Sequence, residues 1–406
     1  MNSSAAQPET SLDLTSPDFL RNPYPAYERL RQADPVHRLP LGFLVLSRHQ
    51  DISAVLRDKR FGKTYAERME LRNGPYIMDE PAFRSMSKWM MWVNPPTHTR
   101  LRGLVTKAFA ARRIEDMRER IQHVVDDTID RLAPRGAADL INDFAFALPV
   151  GVICDMLGIP AEDAHLFLSA VQNIAKLLDP VTLTRDEIDE ANTHFATMAD
   201  YFERLFDLRR NEPRPDLTSE LIYAEENGSK LSKEELTANI IQLFSAGHET
   251  SVNLIGNGLL ALHRHPDQLA LLRNDPTLIG NAVEELLRYD SPVQAAGRDA
   301  NEDAEIDGRP VAKGEAIVCL LGAGNRDPEA HDAAERLDIR RKNIRHLSFG
   351  GGPHYCIGAQ LARIEAEVAV ASLLRRLPNL TVDNLDAPDW RLNFVIRGLS
   401  ALPAHW

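Results

Sequence analysis

With 406 residues, 44% of them hydrophobic and 26% charged, the chain carries enough apolar content for a large buried core, and length alone suggests two or three domains. Its 59 acidic residues outnumber 47 basic ones for a net charge of −12, which argues against a nucleic-acid partner, since neutralising phosphates needs a cationic surface. There is no run of eighteen apolar residues and no charged start followed by an apolar stretch, and three cysteines make no disulfide framework; the expectation is a cytoplasmic protein with no membrane segment.

Taken in chain order, residues 1–20 read as a mobile tail and 21–406 as one folded unit. A short helical pattern covers Tyr24 to Arg31, a strand covers residues 41–47 (LGFLVLS), and a helix runs through Ile52 to Leu56. Residues 62–92 show no clear period, yet hold Tyr65, Met69, Tyr76, Met78, Phe83, Met86, Trp89, Met90, Met91 and Trp92. So many large apolar side chains in an irregular segment predict a cover over core or ligand. From Thr97 to about Asn274 the pattern is almost wholly helical, broken near Pro134–Gly136, Gly158–Pro160, Pro180, Pro213–Pro215 and Gly228. Residues 233–263 form its longest helix. Strand-like pieces return at 304–320, with a turn at Asp307–Gly308, and near 391–402. The expected fold class is mainly α with a smaller β region (α+β) drawn from both ends of the chain.

Cys154 and Cys319 lie in apolar runs and read as buried thiols. Cys356 differs. It follows three consecutive glycines in Phe349-Gly350-Gly351-Gly352-Pro353-His354-Tyr355-Cys356-Ile357-Gly358, and a helical pattern begins at about Ile357. Glycines let backbone approach a flat ligand, and a helix N-terminus favours a thiolate. One thiolate without a second cysteine nearby cannot build a four-ligand zinc or iron–sulfur site. A single axial thiolate on haem iron fits, whereas a nucleophilic cysteine with His354 as its base leaves Phe349 and the glycines unexplained.

This string resembles the cytochrome P450 signature FGxGxHxCxG at every fixed position, and further motifs in the expected order extend the resemblance over nearly the whole chain. The resemblance implies the P450 fold, with haem b between the long oxygen-binding helix and the cysteine-loop helix. Cys356 then ligates iron, and Phe349, Gly350, His354 and Gly358 belong to the haem contact. In the long helix Leu243, Ala246, Gly247 and Thr250 share one face, two of them small enough to leave room over a flat cofactor. Ala246 to Thr250 resembles the family's (A/G)Gx(D/E)T motif, in which Glu249 and Thr250 are expected to relay protons. His248 falls on another face and reads as structural or solvent-facing.

Glu285 and Arg288 resemble the ExxR pair, with Arg341 as third member and Arg340 as the near alternative. By resemblance His98, Arg102, Arg298 and His354 bind the haem propionates, with His346 a weaker candidate. Asn94 and Leu337 depart from the family's frequent acid and aromatic. The substrate is expected to be a medium-to-large apolar molecule, in a pocket capped by residues 62–92 with Trp89, Met90, Leu243, Val293 and Phe394, and with contributions from 170–182 and 293–297.

The implied activity is monooxygenation with O₂ and electrons from NAD(P)H through ferredoxin reductase and ferredoxin, since the chain carries no reductase-like segment. A peroxide-driven or non-oxygenating haem-thiolate enzyme and a non-catalytic haem sensor are the competing readings. Arg336, Arg340, Arg341, Lys342, Arg345 and Arg363, joined by Lys107, Arg112 and Arg113, suggest a basic docking face behind Cys356.

Overall fold

The computed structural model describes residues 13–39, 42–108, 117–224 and 230–406. Its centre is the 32-residue helix Lys233–Arg264, started by a capping box in which Ser232 and Glu235 satisfy each other's backbone N–H. From Leu236 to Leu262 the helix is buried everywhere except at Ala246, Gly247 and Thr250. A helix apolar on all sides belongs inside a bundle. Helices Ala147–Leu157, Arg185–Asn211, Ile279–Tyr289 and Ala359–Arg376 pack around it.

The expected β region is present. A five-stranded sheet runs in the order Val36–Arg38, Leu44–Leu46, Ala316–Leu320, Ala295–Ala300, Phe61–Gly62, so it joins segments about 250 residues apart in sequence. Leu44–Leu46 lies parallel to Ala316–Leu320, and the other neighbours are antiparallel. The Asp307–Gly308 turn closes a hairpin between Ala304–Ile306 and Arg309–Val311, both turn residues at positive φ (50° and 73°).

Three expectations need correction. Of the supposed tail, residues 1–12 lie outside the described residues, but 13–20 are anchored: Ser16 caps helix Pro17–Arg21, and Leu14 and Phe19 are buried. Phe19 packs against Tyr27 and Phe394, which its isolated place in the sequence did not reveal. Residues 62–92 are mostly helical, as Tyr65–Asn73, Ile77–Asp79 and Pro81–Met86; Gly74 at φ 98° and Pro81 break the run into pieces too short for periodicity. Within the helical half a strand, Ala137–Asp139, pairs with Pro403–His405. The predicted breaks hold at Gly158, which takes φ 70°, and at the ends of helices Leu168–Leu177 and Arg185–Asn211, whereas Gly228 lies outside the described residues.

One stretch, residues 140–157, is long and apolar enough to cross a membrane, and 61% of it is buried within the protein.

Candidate active site

The cysteine loop is folded by local bonds. Cys356 N–H donates to the Phe349 carbonyl at 2.9 Å, and Gly350 N–H to the Leu347 carbonyl at 2.7 Å. Two of the glycines are explained by protein, not ligand. Gly352 sits at φ 63° so close to helix His49–Arg57 that a Cβ would lie 2.3 Å from the Leu56 carbonyl oxygen, and Gly351 packs on the Leu56 side chain. Gly350, at φ 70°, has no such crowding. Phe349 lies under the Arg363 guanidinium, 4.6 Å from its ring centre.

Cys356 precedes helix Ala359–Arg376 by three residues, with Gly358 as N-cap. It is exposed by area, yet surrounded closely enough that burial pushes its thiol up, against the Gly358 N–H and the charges of Arg102 and Arg363. Cys154 and Cys319 are buried, and desolvation raises them to about 12 and about 11, as inert thiols should be.

The break in burial at Ala246, Gly247 and Thr250 is one window on an otherwise enclosed helix. A Cβ at Gly247 would meet only Ile153 at an ordinary 3.7 Å, so no protein neighbour forbids a side chain there. Thr250 Oγ1 donates to the Ala246 carbonyl at 2.9 Å. Glu249 is buried and held by the Arg391 guanidinium, so its carboxylate is turned to the C-terminal region. His248 is 1% exposed, edge-on to Phe146 at 4.5 Å and kept neutral as burial lowers it to about 4; it is structural and not solvent-facing. A carboxyl that sequence reasoning missed, Glu365, is fully enclosed beside Ser251, and burial raises it to about 8.

The scaffold triad is complete. Glu285 and Arg288, both 0% exposed, form paired 2.7 Å bonds, and Arg341 Nε lies 3.1 Å from both Glu285 oxygens. Arg288 also donates to the carbonyls of Asn325, Ala334 and Arg336, which fixes the chain leading into the cysteine loop. Arg340, the near alternative, is exposed. His346 is engaged elsewhere, at 3.2 Å from Glu284, so it is not a propionate donor here. The same carboxylate binds Arg363 Nε at 2.5 Å; burial raises Glu284, but these two bonds outweigh it and bring it to about 2.

His98, Arg102, Arg298 and His354 do converge. The His98 and His354 rings lie 4.1 Å apart, and His354 feels the charges of Lys63, Arg298 and Arg102. Burial together with these cations drives His98 down to about 4 and His354 to about 2. Arg102 donates to the Tyr355 carbonyl at 2.6 Å and Arg298 to the Gly297 carbonyl at 2.8 Å. The buried Nε2 of His98 has no partner. A set of basic groups that repel one another around an unpartnered donor suits a dianionic ligand, as the two carboxylates of haem require. Among the described residues no three His, Cys, Asp or Glu side chains converge on a metal position, which leaves Cys356 suited to act alone as an axial ligand. No hydrogen bond joins His354 to Cys356 among the described residues, so the cysteine-nucleophile reading lacks its base. The residues present fit haem.

Of the proposed pocket residues Trp89, Met90, Leu243 and Phe394 are buried and Val293 is half-buried; Phe394 and Val293 belong to packing clusters separate from the other three. Trp89 stacks on Phe195 at 6.0 Å, Met90 N–H donates to Asn239, Leu243 is in the main core, and Val293 bridges to Ile396. The cover is tied together from three segments. Arg72 donates to the carbonyls of Leu177 and Asp179, and the Asp179 carboxylate accepts from the N–H groups of Phe394 and Val395.

A helix-rich body whose long helix, with its small-residue window, packs against the helix that follows a single cysteine, beside a cationic cradle, has the architecture of a haem-thiolate protein. The cytochrome P450 family model matches residues 36–391, and the chain belongs to that family of monooxygenases. Cytochrome P450 monooxygenase PikC of Streptomyces venezuelae is 41% identical over 99% of this chain and 95% of its own, and the vitamin D(3) 25-hydroxylase of Pseudonocardia autotrophica is 40% identical over 96% and 95%. The crystal structure of P450BioI, bound to acyl carrier protein ligated with hexadec-9Z-enoic acid, superposes with a TM-score of 0.90 at 35% identity, covering 96% of this chain and 99% of that one.

Proposed function

We propose that the protein is a cytoplasmic monooxygenase that hydroxylates or epoxidises a medium-to-large apolar molecule of secondary metabolism, using electrons delivered by ferredoxin and ferredoxin reductase from NAD(P)H. The observation that carries this reading is the break in burial at Ala246, Gly247 and Thr250, on the helix that packs against the cysteine helix. In this reading Cys356 is the iron ligand, Ala246 and Gly247 make room over the haem plane, and Phe349, Gly350 and Gly358 shape the thiolate side. His98, Arg102, Arg298 and His354 hold the two carboxylates. Bound there, haem supplies dioxygen activation.

The chain's own part in that chemistry is positioning and proton supply. Thr250 presents a hydroxyl at the window, and Glu249, anchored on Arg391, is the nearby acid that replenishes it through water. The retained acid–alcohol pair supports O₂ over peroxide as the oxidant, because peroxide brings its own protons. Trp89, Met90, Leu243, Val293 and Phe394 line the substrate space. Their apolar character agrees with the molecules in the names of the relatives, a vitamin D and a long-chain acyl group.

The test is turnover by the purified protein with NADH, ferredoxin and ferredoxin reductase. Apolar ligands are expected to shift the haem absorption band and to stimulate NADH use matched by oxygenated product. Turnover on peroxide alone would favour the peroxide-driven reading. Tight, spectrally visible binding of a small polar acid, with no response to apolar ligands, would overturn the substrate class.

A further inference from the structure

Lys63, whose charge reaches His354, has been given no role so far, yet its backbone is firmly held. Its backbone is clamped on both sides by one amide: Lys63 N–H donates to Asn94 Oδ1 at 2.8 Å, and Asn94 Nδ2 donates back to the Lys63 carbonyl at 2.7 Å. The next residue, Thr64, donates its N–H to Asp299 at 3.0 Å. Asn94 is the position where the sequence departs from the family's frequent acid. A carboxylate accepts only, so it could hold the Lys63 N–H but not the carbonyl; an amide holds both.

The ammonium that this clamp delivers stands beside Arg298. Lys63 Nζ and Arg298 Nη1 each donate to the Gly297 carbonyl oxygen, both at 2.8 Å, so two cations share one neutral acceptor. The acid closest in sequence, Asp299, is already engaged by Arg68 and the Thr64 N–H. Across from the ammonium lies the Trp92 ring at 5.0 Å, whose buried indole N–H has no partner. Without an anion such a cluster is poorly balanced, and burial with Arg298 alongside lowers Lys63 to about 7. Lys63 is half-buried, so its side chain keeps accessible area.

We propose that Lys63 is a cofactor-binding residue: its ammonium binds the haem carboxylate that Arg298 binds, and Asn94 is the positioning residue that aims it. The inference rests on the haem reading above. It assigns a function to the Asn94 departure and adds a third basic group beside Arg102 and Arg298 around two carboxylates, one that a bound carboxylate would hold in its charged form.

The experiment measures haem transfer from the holoenzyme to excess apomyoglobin, with the haem propionate bending band in resonance Raman as second readout. Lys63→Met is expected to lose haem about tenfold faster than the parent, the order that a charge-assisted hydrogen bond supplies. The Raman band should shift, the reduced CO-bound spectrum should stay at the thiolate position, and Lys63→Arg should restore both readouts. Unchanged haem loss in Lys63→Met would overturn the proposal. Faster loss with an unmoved propionate band would overturn it too, because Lys63 would then act only by capping the Gly297 carbonyl. A parent protein that purifies without haem would instead sink the haem reading itself.

Discussion

In the proposed relay the chemistry at the small window rests on one hydroxyl, that of Thr250. Its hydrogen bond to the Ala246 carbonyl is a local alternative to the helix ladder, and it leaves the oxygen able to accept while the proton is shared with the backbone. Glu249, one residue earlier, is held on Arg391, so in the proposed relay its link to Thr250 runs through water. Thr250→Ala should therefore keep haem and substrate binding and lose proton delivery. We expect product per NADH to fall about tenfold or more, with hydrogen peroxide making up the difference. Full coupling in that variant would move the relay elsewhere, and the enclosed Glu365 beside Ser251 would be the next group to test.

Between residues and molecule stand the connections that hold the cysteine loop. Glu284, on helix Ile279–Tyr289, ties together His346 ahead of the loop and Arg363 on the helix after it. Its carboxyl is lowered from an ordinary 4.5 to about 2, so the folded state binds fewer protons than the unfolded one. The stabilisation is thus present above about 4.5 and is lost as pH falls towards about 2. Glu284→Gln should lower the thermal midpoint at neutral pH by about 1–2 °C, roughly what 1 kcal/mol does in a chain of 406 residues. The gap between variant and parent should close in acid, and a gap constant with pH would contradict the assignment.

The neighbouring triad Glu285–Arg288–Arg341 is buried more deeply, and removing one partner of such a pair costs about 3–5 kcal/mol. The Glu285–Arg288 pair and the cysteine loop were legible because each is a short string, whereas Arg341, 56 residues from Glu285, was placed only through the family resemblance. What could not be read was non-local. Strand Ala137–Asp139 is three residues long and exists only because Pro403–His405 lies beside it. Lys63 is an isolated cation in sequence, and its partners Asn94 and Gly297 are 31 and 234 residues away. The helices of 62–92 were hidden for a different reason: each is under three turns, too short to show a period.

Across the whole molecule an acidic protein of net charge −12 carries a run of cations just ahead of the cysteine loop in sequence. Of those expected there, Arg341 and Arg363 are committed to Glu285 and Glu284, and Arg112 and Arg113 lie outside the described residues. Arg336, Arg340, Lys342 and Arg345 are exposed. Such a patch raises encounter rates with an acidic donor, over a screening length of about 10 Å at 0.1 M salt. Reversing Arg340, Lys342 and Arg345 to Glu should slow reduction by ferredoxin about tenfold at low salt, flatten its salt dependence and leave substrate affinity alone. Unchanged reduction rates would place the docking face elsewhere. The central claim is that this fold exists to hold one thiolate on haem iron, and the most direct measurement is the absorption spectrum of the reduced, CO-bound protein with and without Cys356→His. The parent should show the band at the thiolate position that gives the family its name, and the variant should move it to that of histidine-ligated haem. A spectrum unchanged by the substitution would contradict the claim.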